Sequence, residues 1–192
     1  MLKDLNHKIF ECVESTHLYL LENQEGEDLI VTAEKQSAGK TSKEDQQWES
    51  EKGGLYLSIR FTDRYLMRSR KNFSNNIGYE IAQALSSISK TNIVFKTPND
   101  FYIGDFKIGG SLISYSNLTC IYSLGINVNQ KSFSQPLSNK ATSLFLQTAS
   151  EYDISQILNI VLNKINDKLK EYRQDYPRYS KPLKTTKFKG KL

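Results

Sequence analysis

Lys107 is the residue of this chain best placed to do chemistry, because it sits just past a turn and just before bare backbone, in Gly104-Asp105-Phe106-Lys107-Ile108-Gly109-Gly110. Gly104-Asp105 separates the apolar runs Phe101 to Ile103 and Phe106 to Ile108, and its tolerance of positive φ predicts a two-residue hairpin. The glycine pair inside the continuing strand predicts a bulge, or a ligand lying against main chain. Upstream, Asn92 to Phe95 reads as a strand that stops at Thr97-Pro98-Asn99-Asp100, where proline has no N–H for a ladder and Asn or Asp bonds its own backbone. A fixed positive charge beside open main chain points to a small-molecule cleft.

Other groups fit such a cleft. The amide of Gln36 both donates and accepts, and Gly39 and Gly110 let main chain approach a ligand. Ser15-Thr16 follows a short strand, Ile9 to Val13, and reads as a helix cap for Leu18 to Leu21. Trp48 lies between polar neighbours, which argues against a core position. His17 has no carboxylate or serine at motif spacing, so its expected part is polar lining. The two histidines and two cysteines show none of the spacings of a protein-built transition-metal site, so no metal residue is assigned, and any metal is expected to arrive with a nucleotide. Cys12 and Cys120 both fall in apolar strand-like runs and are assigned to the core.

The elements that must position these groups are legible from periodicity. Leu55, Leu57, Ile59 and Phe61 alternate with Tyr56, Ser58 and Arg60, the pattern of a half-buried strand, and a basic loop follows. Phe73, Ile77, Ile81, Leu85 and Ile88 recur at helical spacing, as do Ile157, Val161, Ile165 and Leu169 in a helix from Ile154 to about Tyr172. Leu29 to Ala33 is a strand feeding a polar stretch, Glu34 to Gly53, expected to be a mobile loop when empty. At 192 residues, with 38% hydrophobic and 24% charged, the chain has the make-up of one domain over residues 1–172 with a basic tail over 173–192, where Pro177 and Pro182 end regular structure. No apolar run reaches membrane-span length and the start lacks a signal-peptide segment, so a cytoplasmic protein without a membrane partner is expected. Much of the net charge of +5 lies in the tail, which reads as a solvated segment.

Lys96-Thr97-Pro98-Asn99-Asp100, Lys107-Ile108-Gly109-Gly110-Ser111-Leu112 and Gly125-Ile126-Asn127-Val128-Asn129 resemble, in order and spacing, successive signatures of the biotin protein ligases. Ser15-Thr16, Gln36-Ser37-Ala38-Gly39, Gly54-Leu55-Tyr56-Leu57-Ser58 and Ala141-Thr142-Ser143-Leu144 extend the resemblance over most of Phe10 to Leu146. It implies an α+β fold with a mixed, mainly antiparallel sheet and flanking helices, like the catalytic domain shared with class II tRNA synthetases. It also implies two steps: biotin's carboxylate attacks the α-phosphate of ATP, with Mg²⁺ as companion ion, and the biotinyl-5′-AMP formed acylates a lysine on the biotin carboxyl-carrier domain of a carboxylase. The signatures begin by Phe10, which leaves no room for the DNA-binding domain of many relatives, so DNA is not an expected partner. Family dimers often pair through a sheet edge, and Leu112 to Val128 is the candidate edge for a homodimer.

Residue by residue, the resemblance makes Lys107 the catalytic contact to the biotin carboxylate and the bridging phosphoryl oxygen, a positioned charge rather than a nucleophile. Ser15, Thr16, His17, Gln36, Gly39 and Gly110 fall on the biotin side, with His17 where relatives usually carry asparagine or glutamine. Asn99, Asp100 and Asn127 border the nucleotide, and Trp48 stands where the family stacks adenine. Asn99 and Asp100 also serve as turn formers, and the Ser15 hydroxyl as a cap. Lys40, Thr41, Ser42 and Lys43 occupy the loop that closes over the adenylate. There the family's arginines are missing, and lysine brings charge without the bidentate fork. Arg60 and Lys96 are the reserve cations. A biotin ligase with an atypical loop, a lipoate or octanoate ligase, and a non-catalytic biotin-binding remnant are the three readings in play; Lys-x-Pro-Asn-Asp and Gly-Ile-Asn favour biotin.

Overall fold

The computed structural model describes residues 2, 5–23, 27–43, 45–62, 70–116, 119–135 and 137–174. The basic loop after Phe61 and the tail with its prolines lie outside them. Strand β1 (Asn6–Val13) leads into helix α1 (Thr16–Glu22), followed by β2 (Leu29–Lys40), β3 (Gln47–Ser50) and β4 (Gly54–Thr62). Helix α2 (Arg70–Ser89) precedes the short strands β5 (Ile93–Lys96) and β6 (Asp100–Ile103), then the long β7 (Phe106–Ser116) and β8 (Thr119–Asn127). Helices α3 (Leu144–Thr148) and α4 (Ile154–Gln174) complete the order.

The strands run β1-β2-β4-β8-β7-β6-β5, with β3 paired to β2 off that path. Only β1 and β2 pair in parallel, as the intervening helix α1 requires; the other pairs are antiparallel. This is the expected mixed, mainly antiparallel sheet with flanking helices.

The inward stripes of α2 and α4 pack as their spacing predicts. Phe73, Ile77, Ile81 and Leu85 meet Ile157, Val161, Ile165 and Leu169 over Leu55, Leu57, Ile59 and Phe61 of β4. Strand β4 is not half-buried, however: from Gly54 to Phe61 every residue is buried. The alternation reports a second covered face, since α1 packs against β2, β4 and β8 from the other side. That face carries Ser58 and Ser123 and is polar where the first is greasy, which is what leaves room for a site.

Three further expectations change. Cys120 is buried, but Cys12 is exposed, because β1 is the sheet's edge and only Phe10 and Val13 along it are partly buried. The stretch Glu34 to Gly53 is largely a hairpin rather than a loop: β2 continues to Lys40 and β3 returns with Gly39 opposite Trp48. The Leu112 to Val128 segment is not an edge as a whole, since β8 is sandwiched between β4 and β7. Within it, β7 past Ser111 pairs with β8 alone, so that stretch keeps one open side.

Candidate active site

The predicted hairpin forms, with Ile103 opposite Phe106 across Gly104-Asp105 and Gly104 at φ 56°. The register slips between Phe101 and Tyr102 of β6, which places a bulge at Ile108, beside the glycine pair. Lys107 is further pinned by Lys140 and by Thr142 of the Ala141-Thr142-Ser143-Leu144 signature. Its N–H donates to the Lys140 carbonyl (2.8 Å) and its carbonyl accepts from the Thr142 N–H (2.9 Å). Its ammonium lies 2.6 Å from Asp100 Oδ1 and 5.5 Å from the centre of the Trp48 ring.

Two compartments meet at this lysine. The narrower is lined by Ser15, Thr16, His17, Gln36, Lys40 and Gly110, and also by Asn99. The wider takes Lys43, Asp100 and Asn127. Thr41, Ser42, Trp48 and Lys107 border both. All but one of the sequence-predicted site residues are thus drawn together from distant parts of the chain. The exception is Gly39, which lines neither. A Cβ there would fall 2.6 Å from Ser50 Oγ and 2.6 Å from the Trp48 carbonyl, so its lack of a side chain serves the packing of the β2-β3 hairpin. Gly39→Ala should therefore destabilise the hairpin by about 1–3 kcal/mol. Trp48 is the chain's one tryptophan, so a shifted emission accompanying a lowered Tm would register the change.

Trp48 forms the wall between the compartments. It leans on Gly125, where a Cβ would come 2.9 Å from its Nε1, and that buried nitrogen has no hydrogen-bond partner among the described residues. Asn127 donates from Nδ2 to the Thr142 carbonyl (2.9 Å), leaving a buried Oδ1 without a partner among the described residues. Lys40, Lys43 and Lys140 border the cleft without a carboxylate partner among the described residues. The reserve cations are committed elsewhere: buried Arg60 donates to the carbonyls of Asn23 and Glu27, and Lys96 lies 4.1 Å over the Tyr102 ring.

The floor of the narrow compartment is a run of side-chain hydrogen bonds. Gln36 Oε1 accepts from the Thr16 N–H (2.8 Å) and hydroxyl (3.1 Å), and its Nε2 donates to Ser50 Oγ (2.8 Å). Ser15 caps α1, accepting from the Leu18 N–H. His17 places Nδ1 2.8 Å from Ser123 Oγ and Nε2 2.9 Å from Ser114 Oγ. Ser58, Ser114 and Ser123 were not foreseen: they come from three strands, and only the alternation in β4 hinted that a second buried face existed. Among the described residues no three or more His, Cys, Asp and Glu side chains are grouped to hold a metal ion.

Burial, reinforced by the charge of Lys40, lowers the His17 imidazole to about 4 from its usual 6.5. The unfolded chain thus binds a proton that the folded chain refuses, and stability is lost as pH falls from 6.5 toward 4. Parent protein and His17→Gln, compared by urea unfolding, should differ less at low pH: the parent's advantage shrinks by about 2 kcal/mol between neutral and mildly acidic solution. A gap independent of pH would mean that His17 titrates normally.

Residues 9–129 match the model of the Biotin/lipoate A/B protein ligase family. The bifunctional ligase/repressor BirA of Bacillus subtilis is 24% identical over 174 residues, covering 86% of this chain and 53% of that protein. BirA of Escherichia coli is 23% identical, covering 87% and 54%. This chain spans about half the length of these curated relatives. Among solved structures, a biotin protein ligase from Aquifex aeolicus in complex with biotin and ATP superposes with a TM-score of 0.79 at 27% identity, covering 88% of this chain and 72% of that one.

Proposed function

Because this chain belongs to the biotin/lipoate A/B protein ligase family, as a member of its biotin protein ligase branch, we propose that it activates biotin with ATP and transfers it to a lysine of a biotin carboxyl-carrier domain. The observation that carries this reading is the meeting of two compartments at Lys107: a narrow one with a polar floor for the bicyclic head, and a wider one, walled by Trp48, for the nucleotide. The Aquifex ligase of similar fold is in complex with biotin and ATP, which supports these two molecules as the substrates.

In the first step a biotin carboxylate oxygen attacks the α-phosphorus of ATP, biotinyl-5′-AMP forms and pyrophosphate leaves. Anion approaches anion, and charge builds on the phosphoryl oxygens. Lys107 stands at the junction where this happens, and its ammonium offsets the repulsion there. Asp100 holds the ammonium in place before substrate arrives. Lys43 and Lys140 supply charge to the wider compartment, and Trp48 offers its indole face to the adenine. Asp100 and Asn127, whose Oδ1 has no partner among the described residues, would hold an Mg²⁺ that accompanies ATP, since such ions take only one or two protein oxygens beside phosphate and water, and the ion would supply charge to the phosphates.

In the second step the carrier lysine's amine attacks the acyl carbon, the amide forms and AMP leaves. The reaction is assigned to the cytoplasm; among the described residues no helix is long and apolar enough to cross a membrane. The test is labelling of an isolated carrier domain in the presence of ATP and Mg²⁺. A mass gain with biotin, and none with lipoate or octanoate, is expected. Gain with lipoate alone would move the protein to the other branch of its family, and binding of biotin without any gain would make it a non-catalytic remnant.

A further inference from the structure

The hydrogen bonds around His17 have a direction, and the direction decides what a ligand meets. It is anchored at Gln36, whose Oε1 must face the Thr16 backbone N–H, an obligate donor 2.8 Å away. The Thr16 hydroxyl, 3.1 Å from the same oxygen, gives its hydrogen to it; turned the other way, two acceptors would confront each other. With that hydrogen used, Ser58 donates to Thr16 Oγ1 (2.8 Å). Ser58 has no second hydrogen, so Ser123 donates to Ser58 (2.7 Å). Ser123 is then an acceptor toward His17 Nδ1, which must carry the proton. The imidazole is neutral, so Nε2 presents a lone pair and the Ser114 hydroxyl donates to it at 2.9 Å.

Every hydroxyl hydrogen from Ser114 to Thr16 is therefore committed within the relay. What remains to the narrow compartment are lone pairs, one on Thr16 Oγ1 and one on Ser123 Oγ, both residues lining it. Ser15 stands apart: as a cap its oxygen accepts from Leu18, and its hydroxyl hydrogen stays available at the same wall. Acceptors flanked by a donor are the complement of a head with N–H groups beside a carbonyl. Within this arrangement Thr16 takes up the amide oxygen of Gln36 and Ser50 one of its two Nε2 hydrogens, which leaves one amide N–H for the ligand's carbonyl.

We propose that His17, held as its Nδ1–H tautomer, is a positioning residue that orients this relay so the cleft floor offers acceptors at Thr16 and Ser123, selecting a cyclic-urea head over an apolar dithiolane. The inference rests on the biotin reading of the site and deepens it, by naming the residue that makes the floor selective. A head without N–H groups would leave two buried lone pairs without a partner, which is how a hydrogen-bonding site rejects an analogue.

Two measurements on the full chain test it. With ¹⁵N-labelled histidine, the two histidines are separated by comparison with His17→Phe, and the His17 signal at neutral pH should show a protonated Nδ1 and a bare Nε2. Calorimetry with biotin and with lipoic acid should show the preference for biotin falling on the order of 10- to 100-fold in His17→Phe and in Ser123→Ala. His17→Asn, whose amide N–H replaces Nδ1–H, should recover it to within about fivefold. A merely structural histidine would alter stability in all three variants but not this ratio, nor its recovery. A bare Nδ1, or an unchanged preference in His17→Phe, overturns the inference while leaving the biotin reading standing. A parent protein that shows the expected tautomer yet binds no biotin overturns the reading of function, and the selectivity claim with it.

Discussion

Lys107→Ala should lose biotin-dependent pyrophosphate release by roughly a thousandfold while keeping the parent's circular dichroism spectrum and an unfolding stability within about 1 kcal/mol of it. The two halves of that expectation come from different parts of the structure. Lys107 lies outside the apolar core, its side chain 31% exposed, and its place in the sheet is held by main-chain bonds to Lys140 and Thr142 that alanine retains. Its ammonium, by contrast, stands in the proposed reaction where the carboxylate of one substrate must reach the phosphate of the other. Removing it takes away a positive charge and also leaves Asp100, now without its 2.6 Å partner, facing an incoming polyanion. The net change at the junction is thus larger than one missing contact. Lys107→Arg should recover only part of the activity, because a planar fork cannot occupy the position of a point charge. Pyrophosphate release at the parent rate in Lys107→Ala would show that the reaction takes place elsewhere.

The second large effect concerns the turn between β2 and β3. Thr41 Oγ1 organises it, accepting from the Lys43 N–H (3.0 Å) and sharing its one hydrogen between the carbonyls of Lys43 (2.9 Å) and Gln46 (3.2 Å). The two lysines serve different compartments: Lys40, at the end of β2, lines the narrow one, and Lys43 the wider. A charge-assisted hydrogen bond to a buried anion is worth roughly 1.5–3 kcal/mol, so Lys40→Ala/Lys43→Ala should release biotinyl-5′-AMP on the order of ten to a hundredfold faster than the parent. The ligand-bound turn should also become more sensitive to protease, because closure depends on those contacts. Arginine at both positions should slow release by a comparable factor, since it adds the bidentate grip. Adenylate trapped by gel filtration and timed by mass spectrometry measures all three. Unchanged retention in the double alanine variant would shift the closing charge to Lys140, because Arg60 and Lys96 are already engaged away from the cleft.

What the sequence made legible, and what it hid, follows the reach of each signal. The hairpin at Gly104-Asp105 and the stripes of α2 and α4 are local patterns, and the structure reproduces them. The cleft residues were legible because their motifs lie on short segments whose order survives in the sequence. The β2-β3 hairpin was hidden because its residues are polar and lack an apolar period. It is held by cross-strand contacts such as Lys35 to Glu51 at 2.8 Å, and by the close packing of Gly39, which no window of sequence displays. Cys12 was placed in the core because a strand's composition does not say whether it is central or at an edge. The relay through His17 was hidden for a related reason: Ser58, Ser114 and Ser123 are ordinary strand serines until the sheet order brings β4, β8 and β7 side by side. Ser143 shows the converse, a cap that local sequence could have revealed, accepting from the Leu146 N–H at the start of α3.

In the proposed function Lys107 sits where biotin and ATP are joined. A single-turnover quench tests it most directly: protein in excess over biotin is mixed with ATP and Mg²⁺, stopped in acid, and assayed for biotinyl-5′-AMP. The biotin should be converted to adenylate in the parent, Lys107→Ala should yield none on the same timescale, and both should bind biotin. Adenylate formed equally by parent and Lys107→Ala, or bound biotin never converted by the parent, would contradict it.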